Sequence, residues 1–421
     1  MSPLIHALPN GVRVVVDPMA GLQSCALCVV VRGGARWEAP ERSGWSHLLE
    51  HMVFKGAGGR SAREIAEAIE AEGGHINAAT GYERTSFQVR CLPEALPLAM
   101  SLLADLVRDP TLDPQELERE KDVIAQELAE ATDTPDDRVF DLAQGQAFAG
   151  QALGRPILGS DASLKPATRE TLARFHRGLY AADRLVVSAA GAVDPEAILR
   201  LADAAFGDMT READPLPEPA PAVFVGGGVA ETRKLEQAHT VLLFPGVSVR
   251  DPDYFATRLF VEILGGGMAS RLFQVVREER GLAYAIDAYA EHYEDIGLVG
   301  VYAGTAGRQT RKAAALAVET ARALAEAPSE GELARAKAQT RASLFMGRES
   351  PLARAEQAAA QVLLFGRVLD PREMAEALAA VSLEDLRRVG ARAFGQRPRT
   401  GPWAGAVLGP KAAADALAAL G

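Results

Sequence analysis

Cysteine is scarce: three residues, Cys25, Cys28 and Cys91, among 421. An odd, small number excludes a disulfide framework and fits a reducing compartment. Long apolar runs are missing too, and none approaches the ~18 residues a membrane-spanning helix needs. The opening Met-Ser-Pro-Leu-Ile-His-Ala has neither the basic nor the apolar stretch of a secretory signal. The expectation is a cytoplasmic protein with no membrane partner. Positive charge is in deficit: 45 Lys and Arg stand against 56 Asp and Glu, a formal net charge of -11. Such a chain repels phosphate backbones, which argues against nucleic acid as a partner.

What is there is ordinary globular material, 48% hydrophobic and 24% charged. The length exceeds what one core usually supports and predicts two domains. Pro215, Pro217, Pro219 and Pro221 alternate near the middle of the chain. Alternating prolines cannot enter a helix or a central sheet, so 213–222 reads as an extended linker between domains 1–212 and 223–421. The two flanks share an outline of strands, a helix opening near glycines, more strands and a helical tail. The fold class expected is α+β, two similar domains, each a mainly antiparallel sheet with helices on one face.

Local signals fill in this outline. Asn10-Gly11 marks a turn, and residues 24–32 read as a strand. Cys25 and Cys28 form a C-x-x-C, but positions three apart on a strand face opposite ways and cannot easily share a metal. They read as small core residues. A helix is expected over 44–54, ending at Gly56, Gly58 and Gly59. Ser61 and Glu64 form a capping box for the next helix, which Gly73-Gly74 ends. Residues 82–91 alternate as a strand, and a helix covers 94–107. Asp113, Pro114 and Glu116 open a long helix to about residue 132. In the second half a strand is expected at 240–244, with helices at 253–264 and 330–345.

The chemistry concentrates in Ser46-His47-Leu48-Leu49-Glu50-His51-Met52. On a helix, His47 and His51 share a face one turn apart and can grip one Zn²⁺. Glu50 lies beside them, placed to take a proton from the attacking water. The pattern is H-x-x-E-H. A solvated helix face explains it poorly, because Leu48, Leu49, Met52, Val53 and Phe54 make the helix mostly apolar. Buried His and Glu need partners. A third ligand is required, and Glu120 and Glu127, seven residues apart, both lie on one face of the long helix. Periodicity alone does not choose between them.

With Leu8-Pro9-Asn10-Gly11, the segment 47–56 and the segment 120–127, the chain resembles the pitrilysin family, on the branch of mitochondrial processing peptidase subunits and their bacterial homologues. The resemblance spans essentially the whole chain. It implies Glu127 as the third ligand, Glu120 as a supporting acid and one Zn²⁺ per chain. It also implies that Asn77, Ala78 and Ala79 open an edge strand that pairs with substrate, which suits peptides of varied sequence. His75 reads as a surface residue. Gly265-Gly266-Gly267 lacks any phosphate-loop signature; instead, Arg277 and Tyr284 resemble a family pair that binds the substrate carbonyl and stabilises the oxyanion. The activity implied is zinc metalloendopeptidase cleavage of unfolded or short polypeptides. A partner is implied too, either a second copy or a homologous metal-free chain, completing a chamber from two half-shells. Two alternatives stand beside this: a non-catalytic scaffold subunit, and a metal-dependent hydrolase of a non-peptide bond.

Overall fold

The computed structural model describes residues 3–210, 216–395 and 402–419. Residues 213–215 of the expected linker, Pro215 among them, lie outside the described residues. Residues 216–226 follow in no helix or strand.

The chain begins with strands β1 (Leu4–Ala7), β2 (Arg13–Pro18) and β3 (Cys25–Val31), then helix α1 (Trp45–Val53). A small hairpin, β4 (Gly56–Ala57) and β5 (Arg60–Ser61), leads to α2 (Ala62–Ala71), β6 (His75–Thr80) and β7 (Thr85–Cys91). Helices α3 (Leu96–Arg108), α4 (Pro114–Asp133), α5 (Pro135–Ala147), α6 (Asp161–Leu164) and α7 (Arg169–Leu179) precede β8 (Leu185–Gly191) and α8 (Pro195–Phe206). The second half runs β9 (Gly227–Thr232), β10 (Gln237–Pro245), α9 (Tyr254–Gly265), β11 (Ala283–His292), β12 (Gly297–Ala306) and α10 (Thr310–Glu326). It closes with α11 (Glu330–Met346), α12 (Pro351–Phe365), α13 (Pro371–Ala380), α14 (Leu383–Phe394) and β13 (Ala404–Gly409).

Contacts divide the chain into two units. The first holds Met1–Leu128, Pro156–Pro219 and Phe345–Pro371; the second holds Ala129–Arg155, Ala220–Leu344 and Arg372–Gly421. Each unit therefore takes one segment from beyond the position where the prolines interrupt the chain.

The first unit is built on a six-stranded sheet in the order β1-β2-β8-β3-β7-β6, with β2 and β8 parallel and every other neighbour antiparallel. The second unit has a five-stranded sheet, β11-β12-β10-β13-β9, with β13 and β9 as its parallel pair. Both are α+β, as expected.

One expectation is corrected. Helices cover both faces of the first sheet, not one. All seven residues of β3 are buried, so neither of its faces meets water. Cys25 joins the main core with Leu27 and Val29, while Cys28 and Val30 point the other way with Val15, Val186 and Ala190. That second face is sealed by Ala355, Ala358, Ala359 and Val362 of α12, the apolar stripe of one helix. Arg354 fastens α12 to β2 through a two-pronged pair with Asp17, Nε to Oδ2 at 2.7 Å and Nη2 to Oδ1 at 2.5 Å. In the second unit α5 packs on β13, β10 and β9, and Phe140 stacks on Tyr302 at 5.6 Å.

Candidate metal centre

Helix α1 is anchored by Leu48, Leu49, Met52 and Val53, none with any exposed surface. That leaves His47, Glu50 and His51 on the remaining, half-buried face. The start of α1 is unusual. Its N-cap is Gly44, with φ at +88°, and no side chain caps it locally. Glu38, buried and six residues upstream, does so instead: its carboxylate accepts the N–H of Gly44 at 2.8 Å and of Ser46 at 2.7 Å. Two orphan donors are satisfied and a negative charge sits at the positive end of the helix.

Helix α4 presents Glu120 and Glu127 from the same face as its buried anchors Leu117 and Ile124. Asp113 Oδ1 caps it, accepting from the backbone of Gln115 and Glu116. One ligand atom each from His47, His51 and Glu127 lies within 4.8 Å of the others. Glu127 Oε2 stands 3.9 Å from His47 Nε2 and 3.7 Å from His51 Nε2. These are too long for hydrogen bonds. They are near the ~3.4 Å edge of a tetrahedron whose bonds are about 2.1 Å. Among the described residues, Glu127 Oε2 and His47 Nδ1 are buried without a hydrogen-bond partner. An orphaned buried carboxylate oxygen facing two imidazole nitrogens is costly alone, and the donor set fits Zn²⁺.

The electrostatics agree. Burial, and secondarily the neighbouring His51, pull His47 down to about 4, so its imidazole is neutral near pH 7 and keeps a lone pair to donate. His51 Nδ1 contacts Glu120 Oε2 at 2.9 Å. With that nitrogen donating, Nε2 presents its lone pair toward Glu127, the carboxylate–histidine arrangement that orients metal-binding imidazoles. The other oxygen of Glu120 takes Lys55 Nζ at 2.7 Å, which balances a carboxylate only 3% exposed. Burial raises the proton affinity of Glu50, and a hydrogen bond from the Thr80 hydroxyl opposes that shift.

Thr80 ends β6, the edge of the first sheet. On β6, Ile76, Ala78 and Thr80 face inward, while His75, Asn77 and Ala79 face solvent. The structure thus brings His47, Glu50, His51, Glu120 and Glu127 together, with strand 75–80 alongside. His75 is not among the clustered donors. Arg277 and Tyr284 belong to the second unit. Arg277 lies in a π-helical turn, Phe273–Glu279, with its guanidinium 4.7 Å from the ring centre of Phe273. Tyr284 is 62% exposed on the edge strand β11. Thr80, Glu38 and Lys55 had no assigned role from the sequence. Only Thr80 left a signal there, the two-residue alternation it shares with Ile76 and Ala78.

Residues 13–161 match the family described as insulinase, peptidase family M16, and residues 166–340 match its companion, the peptidase M16 inactive domain. All the clustered donors fall within the first match. An uncharacterized zinc protease of Rickettsia bellii is 34% identical over 96% of this chain and 97% of its own length. The mitochondrial-processing peptidase subunit beta of Lentinula edodes is 31% identical over 91% of this chain and 86% of its own. A crystal structure of a protease from Helicobacter pylori shares the fold, with a TM-score of 0.89 at 20% identity over 97% of this chain and all of that one. The chain belongs to peptidase family M16, whose members similar to it are named zinc proteases.

Proposed function

We propose that this chain is a zinc metalloendopeptidase of unfolded or short polypeptides. His47, His51 and Glu127 would hold one Zn²⁺, and Glu50 is the general base. The observation that carries the reading is the convergence of two imidazoles and a carboxylate, one of whose oxygens has no hydrogen-bond partner among the described residues, beside a second carboxylate, Glu50, at a sheet edge. Zinc held there would supply Lewis acidity to a water and to the scissile carbonyl. Glu50 takes the proton of the attacking water and returns it to the leaving amine; its raised proton affinity suits both steps. Glu120 keeps His51 oriented. An extended peptide adds to the free edge of β6 along Asn77, Ala78 and Ala79, so backbone pairing, not side-chain fit, supplies most of the recognition. Arg277 and Tyr284, both solvent-accessible, are proposed as contacts to the substrate carbonyl.

A second homologous chain is the partner proposed, a copy of this one or a metal-free relative; the similarity to a protein named as a subunit supports it. A stable, active monomer in sedimentation would remove that partner. The compartment proposed is the cytoplasm, which suits three free cysteines; among the described residues no helix is long and apolar enough to cross a membrane.

The test is metal content together with cleavage of a quenched unfolded peptide, with and without a chelator, for wild type and Glu50→Gln. One zinc per chain and chelator-sensitive cleavage are expected, with Glu50→Gln retaining zinc and losing about 10²–10⁴ in rate. Normal turnover in Glu50→Gln overturns the base assignment. No zinc in the wild type returns the chain to a scaffold role.

A further inference from the structure

We propose that Thr80 is a positioning residue for Glu50, and that its hydroxyl ties the orientation of the base to the strand on which substrate adds. The inference rests on the peptidase reading above. Among the described residues, Thr80 is the one that hydrogen-bonds Glu50: its Oγ1 donates to Oε2. A carboxylate held by one oxygen cannot spin about its last torsion, so the other oxygen points in a fixed direction. Without that bond, the half-buried Glu50 would sample several rotamers, and a base that must meet a water at ~3 Å loses effective concentration.

The donor is itself well fixed. Thr80 pairs with Thr85 across β6 and β7, and Thr85, fully buried, donates through Oγ1 to the carbonyl of Gly33 at 3.2 Å. The acceptor sits on α1, whose start Glu38 pins. Residue 80 is on the inward-facing row of β6, while among the described residues the strand's outer edge carries no neighbouring strand. A peptide pairing with that edge stiffens the strand that carries the Thr80 hydroxyl, so occupancy of the edge and alignment of the base become one event.

The experiment compares Thr80→Val, which keeps shape and removes the hydroxyl, with Thr80→Ser, which keeps the hydroxyl. In the zinc-loaded protein, Thr80→Val is expected to lower kcat about tenfold with KM and zinc content unchanged, and Thr80→Ser to restore most of the rate. A second readout uses the metal-free protein: Thr80→Val lowers Tm in the wild-type background and leaves it unmoved in a Glu50→Ala background, because the bond is already gone. Unchanged kcat in Thr80→Val, equal losses in Val and Ser, or the same Tm shift in both backgrounds overturns the proposal. These outcomes are separable from failure of the peptidase reading, in which the wild type itself does not cleave or Glu50→Gln remains active.

Discussion

The two units contain the same local design used in two ways. In the first, the all-buried strand β3 leads into α1; in the second, β10 leads into α9. Leu48, Leu49, Met52 and Val53 bury one side of α1, and Leu259, Phe260, Ile263 and Leu264 bury the same side of α9 at the same spacing. When these four are matched, His47, Glu50 and His51 fall opposite Arg258, Val261 and Glu262. The core side of the helix is what the fold demands. The other side can carry chemistry, and only the first unit has given it a donor set: among the described residues the clustered donors are His47, His51 and Glu127 alone, while in the second unit Val261 on that side joins the core. Fold and function are therefore written on different faces of one helix.

The sharpest way to break this comparison is to give α1 the residues of α9. His47→Arg with His51→Glu is expected to abolish zinc binding and to cut peptide cleavage by more than about a thousandfold, while far-ultraviolet circular dichroism stays native. Retained zinc by elemental analysis would mean that the ligands lie elsewhere. The core side predicts the reverse symmetry. Leu49→Ala and Phe260→Ala should each cost about 3–5 kcal/mol in denaturant unfolding of their own unit, since neither side chain exceeds 1% exposure. A Phe260→Ala protein as stable as wild type would show the second helix to be dispensable.

Smaller effects sharpen the contrast. Glu120→Gln removes the negative charge and one of the two carboxylate oxygens that serve His51 and Lys55 and should weaken zinc affinity about 10–100-fold in a competition titration. The position matching Glu120 on α11, when Leu117 is set against Leu333, is Ala336, a plain core residue. The acid in that neighbourhood, Glu332, is held at about 2, first by hydrogen bonds from Arg271. Its folded value lies below the unfolded one of about 4.3, so the stability it contributes is present above that value and is lost as pH falls toward 2. Glu332→Gln should flatten that part of the acid-unfolding curve. The least effect belongs to Glu262→Gln at the site matching His51: zinc content unchanged, stability within about 0.5 kcal/mol.

His47, Glu50 and His51 were legible because they lie about one turn apart on one short helix, whereas Glu127, on the later helix α4, was singled out by the family resemblance. The capping box at Ser61 and Glu64 was legible for the same reason, being a contact between residues three apart. Periodicity showed only that Glu120 and Glu127 share a face; the resemblance gave them separate roles, and in the structure Glu120 contacts the far nitrogen of His51 while Glu127 faces both near ones. What escaped was non-local. Glu38 caps a helix it does not belong to, and Thr80 reaches Glu50 across thirty residues of chain. Nor does the apolar stripe of α12 say which of two sheets receives it, since any apolar face of the right width is an acceptable partner.

That receipt of α12 by the first sheet has a consequence in time. The face formed by Val15, Cys28, Val30, Val186 and Ala190 is complete once β8 has been made, but its cover ends at residue 365. At about 5–20 residues per second, the interval from the end of the first unit's second segment to that point is roughly 7–30 s of synthesis. Through that interval the nascent chain carries an apolar sheet face waiting for a helix not yet made. A translational pause, or a truncation anywhere before α12, prolongs that exposure, and a chaperone that shelters flat apolar surfaces is what such a chain would need first.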